Sequence, residues 1–165
     1  MAESKPVGTP TENNHPDDKS SDPLDKSIPY RSAVGSLMYL ACATRPDIAY
    51  AVSKAARSMS EPTYANWTSV KRIFRYLRGT SDQGLLYTSS EDDVCAYSDA
   101  DLAGDIETRR STSGFVSLIG GTAVSWTSQL QKSVALSTTE AEFVASSEGA
   151  KELIWLKRLL SEIGA

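Results

Sequence analysis

The sequence predicts an α+β chain in which three N-terminal helices precede a three-stranded antiparallel meander and one long C-terminal helix. Three observations carry this. Apolar side chains recur with a helical period between residues 31 and 78, punctuated by Pro46, Pro62 and Gly79. After Gly84 the texture changes to short alternating runs, two of them joined by Gly120-Gly121. From Ser137 to Ile163 a single helical pattern continues without a break.

Residues 1–27 are rich in Pro, Ser, Asn, Asp and Thr and hold almost no large apolar side chain. Such a segment buries too little surface to offset its ordering entropy, so a disordered or extended tail is expected. A helical segment follows over 28–90. Val34, Leu37, Met38 and Leu40 place the first helix near 31–42. Pro46 suits the first turn of a second helix over 46–59, with Thr44 or Arg45 near its cap and Ile48, Val52, Ala55, Ala56 and Met59 on one side. Pro62 opens a third helix, near 63–78, which Gly79 stops. Its apolar arc is Val70, Ile73, Phe74 and Leu77, with Trp67 at the edge; Lys71, Arg75 and Arg78 form the adjoining stripe and Arg72 widens it.

The last segment, 91–165, carries the β texture. Leu85–Thr88 before it is a candidate short strand. Strands are expected at Val94–Asp99, Phe115–Ile119 and Thr122–Thr127, a meander within 93–128, and then a helix from about 138 to 162. Ser137-Thr138-Thr139-Glu140 has the form of a capping box, in which Ser137 and Glu140 satisfy each other's free N–H groups.

Composition removes several function classes. The chain has 165 residues, 40% of them hydrophobic, yet no run of eighteen apolar residues that would span a membrane. The polar opening, Met1–Ser21, does not read as a cleavable signal peptide. Cys42 and Cys95 make no disulfide framework, and with the single His15 they cannot build a zinc site. A Ser-His-Asp or Cys-His mechanism would depend on His15, which sits in the tail. No small-molecule cofactor is implied. The net charge of −4 hides a division: residues 27–90 carry eight Lys and Arg against three acids, and residues 91–165 carry six against twelve. A basic segment is a candidate polyanion site and an acidic one a candidate metal site. The polyanion candidates are Lys71, Arg72, Arg75 and Arg78.

Among the carboxylates, Glu142 falls in one helical stripe with Leu153, Leu156 and Leu160, the stripe expected to lie on the sheet. Glu140 points away and caps. A carboxylate facing a core is costly unless it is paired or binds metal, although acids at the first turn also favour the helix dipole. Asp99 ends its expected strand and shares a face with Cys95 and Tyr97. Asp101 and Asp105, in Ala100-Asp101-Leu102-Ala103-Gly104-Asp105, read first as turn residues. Asp99 and Glu142 together could hold a hard divalent cation through oxygen, though two carboxylates alone make a weak site.

Several runs resemble a known family. Tyr97-Ser98-Asp99-Ala100-Asp101-Leu102-Ala103-Gly104-Asp105, Thr108-Arg109-Arg110-Ser111-Thr112-Ser113-Gly114-Phe115, Ser125-Trp126 and Ala135-Leu136-Ser137-Thr138-Thr139-Glu140-Ala141-Glu142-Phe143 resemble the RNase H domain of copia-type LTR retrotransposon Pol polyproteins. Lys5-Pro6-Val7-Gly8-Thr9-Pro10, Ala33–Leu40, Thr44-Arg45-Pro46-Asp47-Ile48 and Arg75-Tyr76-Leu77-Arg78-Gly79-Thr80 are similar to the end of the reverse transcriptase and its connection. The resemblance implies a truncated RNase H-like fold. It implies Mg²⁺ ions held by carboxylates that cut RNA in an RNA–DNA hybrid, with Asp99 and Glu142 at the first two carboxylate positions. The family's later aspartates find no match before Ala165, so an inactive fragment is expected. The implied partners are nucleic acid and the rest of a Pol polyprotein, in an intracellular particle or nucleus. Arg75-Tyr76-Leu77-Arg78 also fits the Arg-x-Leu-Arg pattern of secreted oomycete effectors, which makes a non-enzymatic, secreted interaction protein the alternative. Sequence-independent nucleic-acid binding is the third reading.

Overall fold

The computed structural model describes residues 3–12, 22–87 and 94–164. The chain divides into two compact units, Met1–Gly84 and Leu85–Ala165.

The first unit is helical. Its elements are α1 (Tyr30–Ala43), a 3-10 turn (Pro46–Ile48), α2 (Ala49–Arg57) and α3 (Tyr64–Gly79). The second expected helix is therefore two pieces. Pro46 starts a tight turn, and α2 follows from Ala49. Val34, Leu37, Ile48, Val52, Val70 and Ile73 are buried together. Each such side chain contributes about 1.5–3 kcal/mol on burial, which makes this cluster the main source of the unit's stability. Tyr30 joins the cluster, and its hydroxyl donates to the Ala55 carbonyl at 2.8 Å. Helix α3 starts with a capping box that the Pro62 signal does not reveal: the Asn66 N–H donates to Thr63 Oγ1 at 3.3 Å, and the Thr63 N–H donates to Asn66 Oδ1 at 2.9 Å. Of the tail, residues 22–24 run beside the start of α3. The Leu24 N–H donates to the Pro62 carbonyl at 2.8 Å, the Tyr64 N–H donates to the Asp22 carbonyl at 3.1 Å, and Leu24 is buried. Residues 3–12 are also placed; 13–21, with His15, lie outside the described residues.

The second unit is a meander and a helix: β1 (Cys95–Asp101), β2 (Thr112–Ile119), β3 (Thr122–Leu130) and α4 (Thr138–Ile163). The strands pair antiparallel in the order β1-β2-β3. Gly120 and Gly121, at φ 57° and 74°, make the two-residue turn between Ile119 and Thr122; both need the left-handed region that glycine enters without penalty. The strands are longer than the apolar pattern indicates, because backbone pairing of Ala100 with Ser113 and Asp101 with Thr112 extends through polar positions. Asp99 is consequently inside β1, opposite Gly114, and Asp101 is its last residue. Leu85–Tyr87 form no strand, although the Leu86 carbonyl accepts from Thr122 Oγ1 at 2.9 Å; Thr88 lies outside the described residues.

Helix α4 packs on β1 and β2 through a narrower face than the expected leucine stripe. Ala141, Ala145, Gly149 and Leu156 are buried, whereas Leu153, Leu160 and Glu142 are half-buried at the rim. Small side chains explain the offset, since they let the helix backbone approach the sheet. A Cβ on Gly149 would be in ordinary van der Waals contact with the sheet, 3.7 Å from Ser98 Cβ and 3.9 Å from Phe115 Cβ, which leaves no room for anything larger than Ala without adjustment. The N-terminal cap differs as well. Ser137 Oγ accepts from the Glu140 N–H at 3.1 Å, but the Glu140 carboxylate reaches back to the Leu136 N–H, at 2.7 Å, one residue earlier than the capping box has it.

Candidate functional site

The carboxylates come first. Ser98 faces α4, with its Oγ 3.2 Å from Ser146 Oγ. Strand alternation therefore turns Asp99 to the other face of the sheet, with Cys95, Tyr97 and Asp101. Asp99 is exposed and Glu142 half-buried. The two residues belong to elements that meet, but Asp99 is turned away from the face α4 covers. Asp101 and Asp105 serve the turn that follows. The Asp101 carboxylate lies over Gly104, where an added Cβ would come within 1.9 Å of its Oδ2. Asp105 Oδ1 accepts from the N–H groups of Glu107 and Thr108 at 3.1 and 2.9 Å and from Thr108 Oγ1 at 3.1 Å.

Two Mg²⁺ ions need near-octahedral oxygen shells shared among several carboxylates, water and substrate. Among the described residues no three His, Cys, Asp or Glu side chains gather closely enough to hold a metal ion. The donor set present does not fit a two-ion centre.

The basic stripe of α3 is engaged by the chain itself. Arg72 Nε donates to the Thr9 carbonyl at 3.1 Å and its Nη2 to Thr9 Oγ1 at 2.9 Å, while Nη1 pairs with the Glu12 carboxylate. Arg75 Nε donates to the Lys5 carbonyl at 2.8 Å, and Arg78 Nη1 donates to the Ser4 carbonyl. The segment 3–12 thus lies along three of the four cations, and a Cβ on Gly79 would stand 3.0 Å from Pro6 Cβ.

A second polar cluster has no counterpart among the residues singled out for chemistry. Arg45, only 7% exposed, donates through Nε and Nη2 to the two Asp47 oxygens at 2.9 and 2.7 Å. Its Nη1 donates to the Thr80 carbonyl at 2.9 Å and Nη2 to Thr80 Oγ1 at 2.6 Å, which closes the end of α3. The Tyr76 hydroxyl donates to Asp47 Oδ2 at 2.8 Å, and the Arg45 guanidinium lies 5.7 Å from the Tyr76 ring centroid. The Arg45 hydrogen bonds hold the Asp47 carboxyl below its ordinary range, against the opposing effect of burial. Burial, then the bond to Asp47, pushes the Tyr76 hydroxyl up. The spacing Arg45-x-Asp47 was visible in the sequence, but its partners stand about thirty residues away on another helix.

The same chain has extensive relatives. It is 47% identical over 171 residues to the retrovirus-related Pol polyprotein from transposon TNT 1-94 of Nicotiana tabacum, covering 99% of this chain and 13% of that protein. It is 41% identical over 170 residues to the retrovirus-related Pol polyprotein from transposon RE2 of Arabidopsis thaliana, covering 99% of this chain and 11% of that protein. It is also 48% identical over 132 residues to the secreted RxLR effector protein 161 of Plasmopara viticola, covering 79% of this chain and 93% of that protein. The chain therefore spans little more than a tenth of the two polyproteins and nearly all of the Plasmopara protein. No family model matches the chain, and no solved structure matches it.

Proposed function

Because this chain belongs to the family of copia-type retrotransposon Pol polyproteins, we propose that its second unit is an RNase H-like scaffold that does not cleave RNA–DNA hybrids by itself. One observation carries the reading. A three-stranded meander is followed by a long helix, with Asp99 on the first strand and Glu142 one turn into the helix, the order the family resemblance implies. Non-catalysis follows from the donor set: Asp99 is turned away from α4, and no third carboxylate joins the pair among the described residues.

A Mg²⁺ titration followed by NMR tests the donor set. Because Asp99 is turned away from α4, the reading expects no saturable shift shared by Asp99 and Glu142. Tight binding of two ions contradicts it.

The first unit, in this reading, contributes weak, sequence-independent contact with duplex or hybrid through Lys71, Arg72, Arg75 and Arg78. Each phosphate contact adds about 0.9 to the salt slope on B-DNA. An intracellular location, in a particle or nucleus, accompanies this reading through the polyprotein context of the relatives.

A second reading, a secreted non-enzymatic effector, is favoured by the Plasmopara relative. Against it, Arg75-Tyr76-Leu77-Arg78 is built into α3, where Arg75 and Arg78 hold the N-terminal segment, Tyr76 holds Asp47 and Leu77 packs on the core. Sequencing the 5′ end of the transcript discriminates: an in-frame secretory signal supports export, and a full-length transcript without one contradicts it.

A further inference from the structure

We propose that residues 3–12 are an intramolecular strap that competes with nucleic acid for the basic face of α3. The inference rests on the polyanion reading of that face. The groups seated on the arginines are oxygen acceptors: the carbonyls of Ser4, Lys5 and Thr9, the Thr9 hydroxyl and the Glu12 carboxylate. They occupy the donors a phosphate backbone would need, at successive positions along one helix face. A guanidinium donates to a phosphate oxygen as readily as to a carbonyl, and the charged acceptor is the stronger partner. Only one of the five acceptor groups, the Glu12 carboxylate, is charged, so the strap is built to be displaced.

The strap also has a steric latch. Pro6 packs close to Gly79: a Cβ added there would be 3.0 Å from Pro6 Cβ, so Pro6 would have to give by a few tenths of an ångström, and a larger side chain would displace it further. Gly79 ends α3, and the Arg78 pair next to it holds Ser4. The absence of a side chain at 79 therefore allows the strap to lie flat at the helix end. The opposite end is latched by Glu12 on Arg72. Opening either latch frees arginines without altering one.

Two full-chain variants, Gly79→Leu and Glu12→Gln, test this with a random-sequence 20-base-pair DNA duplex as probe, titrated from low to high salt, each checked for wild-type helix content by circular dichroism. Neither substitution replaces a basic residue, and Glu12→Gln serves if Gly79→Leu disturbs the helix end. The expected result is at least a tenfold gain in duplex affinity at low salt and a salt slope steeper by up to about 2.7, the share of three phosphate contacts. A synthetic peptide of residues 3–12, added in excess, should compete with the duplex for the Gly79→Leu chain. Variants that bind the duplex as the wild type does would overturn the strap while leaving the polyanion reading intact. Variants that bind no duplex at all, like an Arg72→Gln/Arg75→Gln/Arg78→Gln control, would overturn both.

Discussion

Arg45 is a buried cation whose charge is matched by one carboxylate, so Asp47 is the residue on which the first unit's polar interior depends. Asp47→Ala leaves the guanidinium without its counter-charge and is expected to cost about 2 kcal/mol, less than a fully buried pair because Asp47 itself is a third exposed. Tyr76→Phe, which removes one hydrogen bond, should cost about 1 kcal/mol. Urea denaturation followed through the amide signals of α1 and α3 measures both. The pH dependence has a definite sign. The folded Asp47 titrates below its unfolded value, near 4, so its contribution is complete above that pH and is lost as pH falls through the lower folded value. Tyr76 is the converse: its folded value is raised, so its contribution is present below about pH 10 and is lost as pH rises through the raised one. Asp47→Asn should remove Asp47's share of the acid limb of the stability profile, leaving that of other lowered carboxyls such as Asp25 and Glu148. The motif residues Arg45, Asp47, Tyr76 and Thr80 were all legible as a resemblance, yet their mutual role was not. It depends on α2 and α3 returning the chain to the same place, which local pattern does not encode. At Asp99 the sequence correctly assigned a face shared with Cys95 and Tyr97, but apolar alternation ended the strand two residues too early, because ladder pairing at Ala100 and Asp101 uses backbone groups alone.

At the scale of elements, α4 shows where periodicity succeeds and where it misses. Its extent, near 138–162 by pattern and Thr138–Ile163 in the structure, follows from an uninterrupted helical sequence with a Ser137 cap and a Gly164 in the left-handed region. Its orientation was offset, because a stripe of leucines outweighs a stripe of Ala and Gly in any hydrophobic count. The sheet selects the smaller stripe, since close approach depends on the absence of side-chain volume. Ala145→Leu should therefore destabilise the second unit by about 1–3 kcal/mol through overpacking. Phe143→Ser, on the exposed side, should change stability by no more than about 0.5 kcal/mol. Thermal melts of the two variants check the pair, and the opposite ranking would show that α4 is seated on a different face. The basic stripe of α3 was legible as charge at helical spacing. The segment that lies on it was not, because a Pro- and Thr-rich run carries no periodic signal, and its hydrogen bonds use mostly its own backbone carbonyls.

For the molecule as a whole, a helical unit precedes an α+β unit, and the candidate residues of each are of opposite character: arginines already engaged in the first, and in the second two carboxylates that no third metal-ligating side chain joins among the described residues. On the proposed reading, the second unit has the order of an RNase H-like domain without its chemistry. A hybrid-cleavage assay tests it most directly: a labelled RNA–DNA hybrid incubated with the full chain and Mg²⁺, beside Asp99→Asn and Glu142→Gln. The expected result is no cleavage above the level of either variant. Robust Mg²⁺-dependent cleavage by the unaltered chain, abolished in Asp99→Asn, would contradict the account.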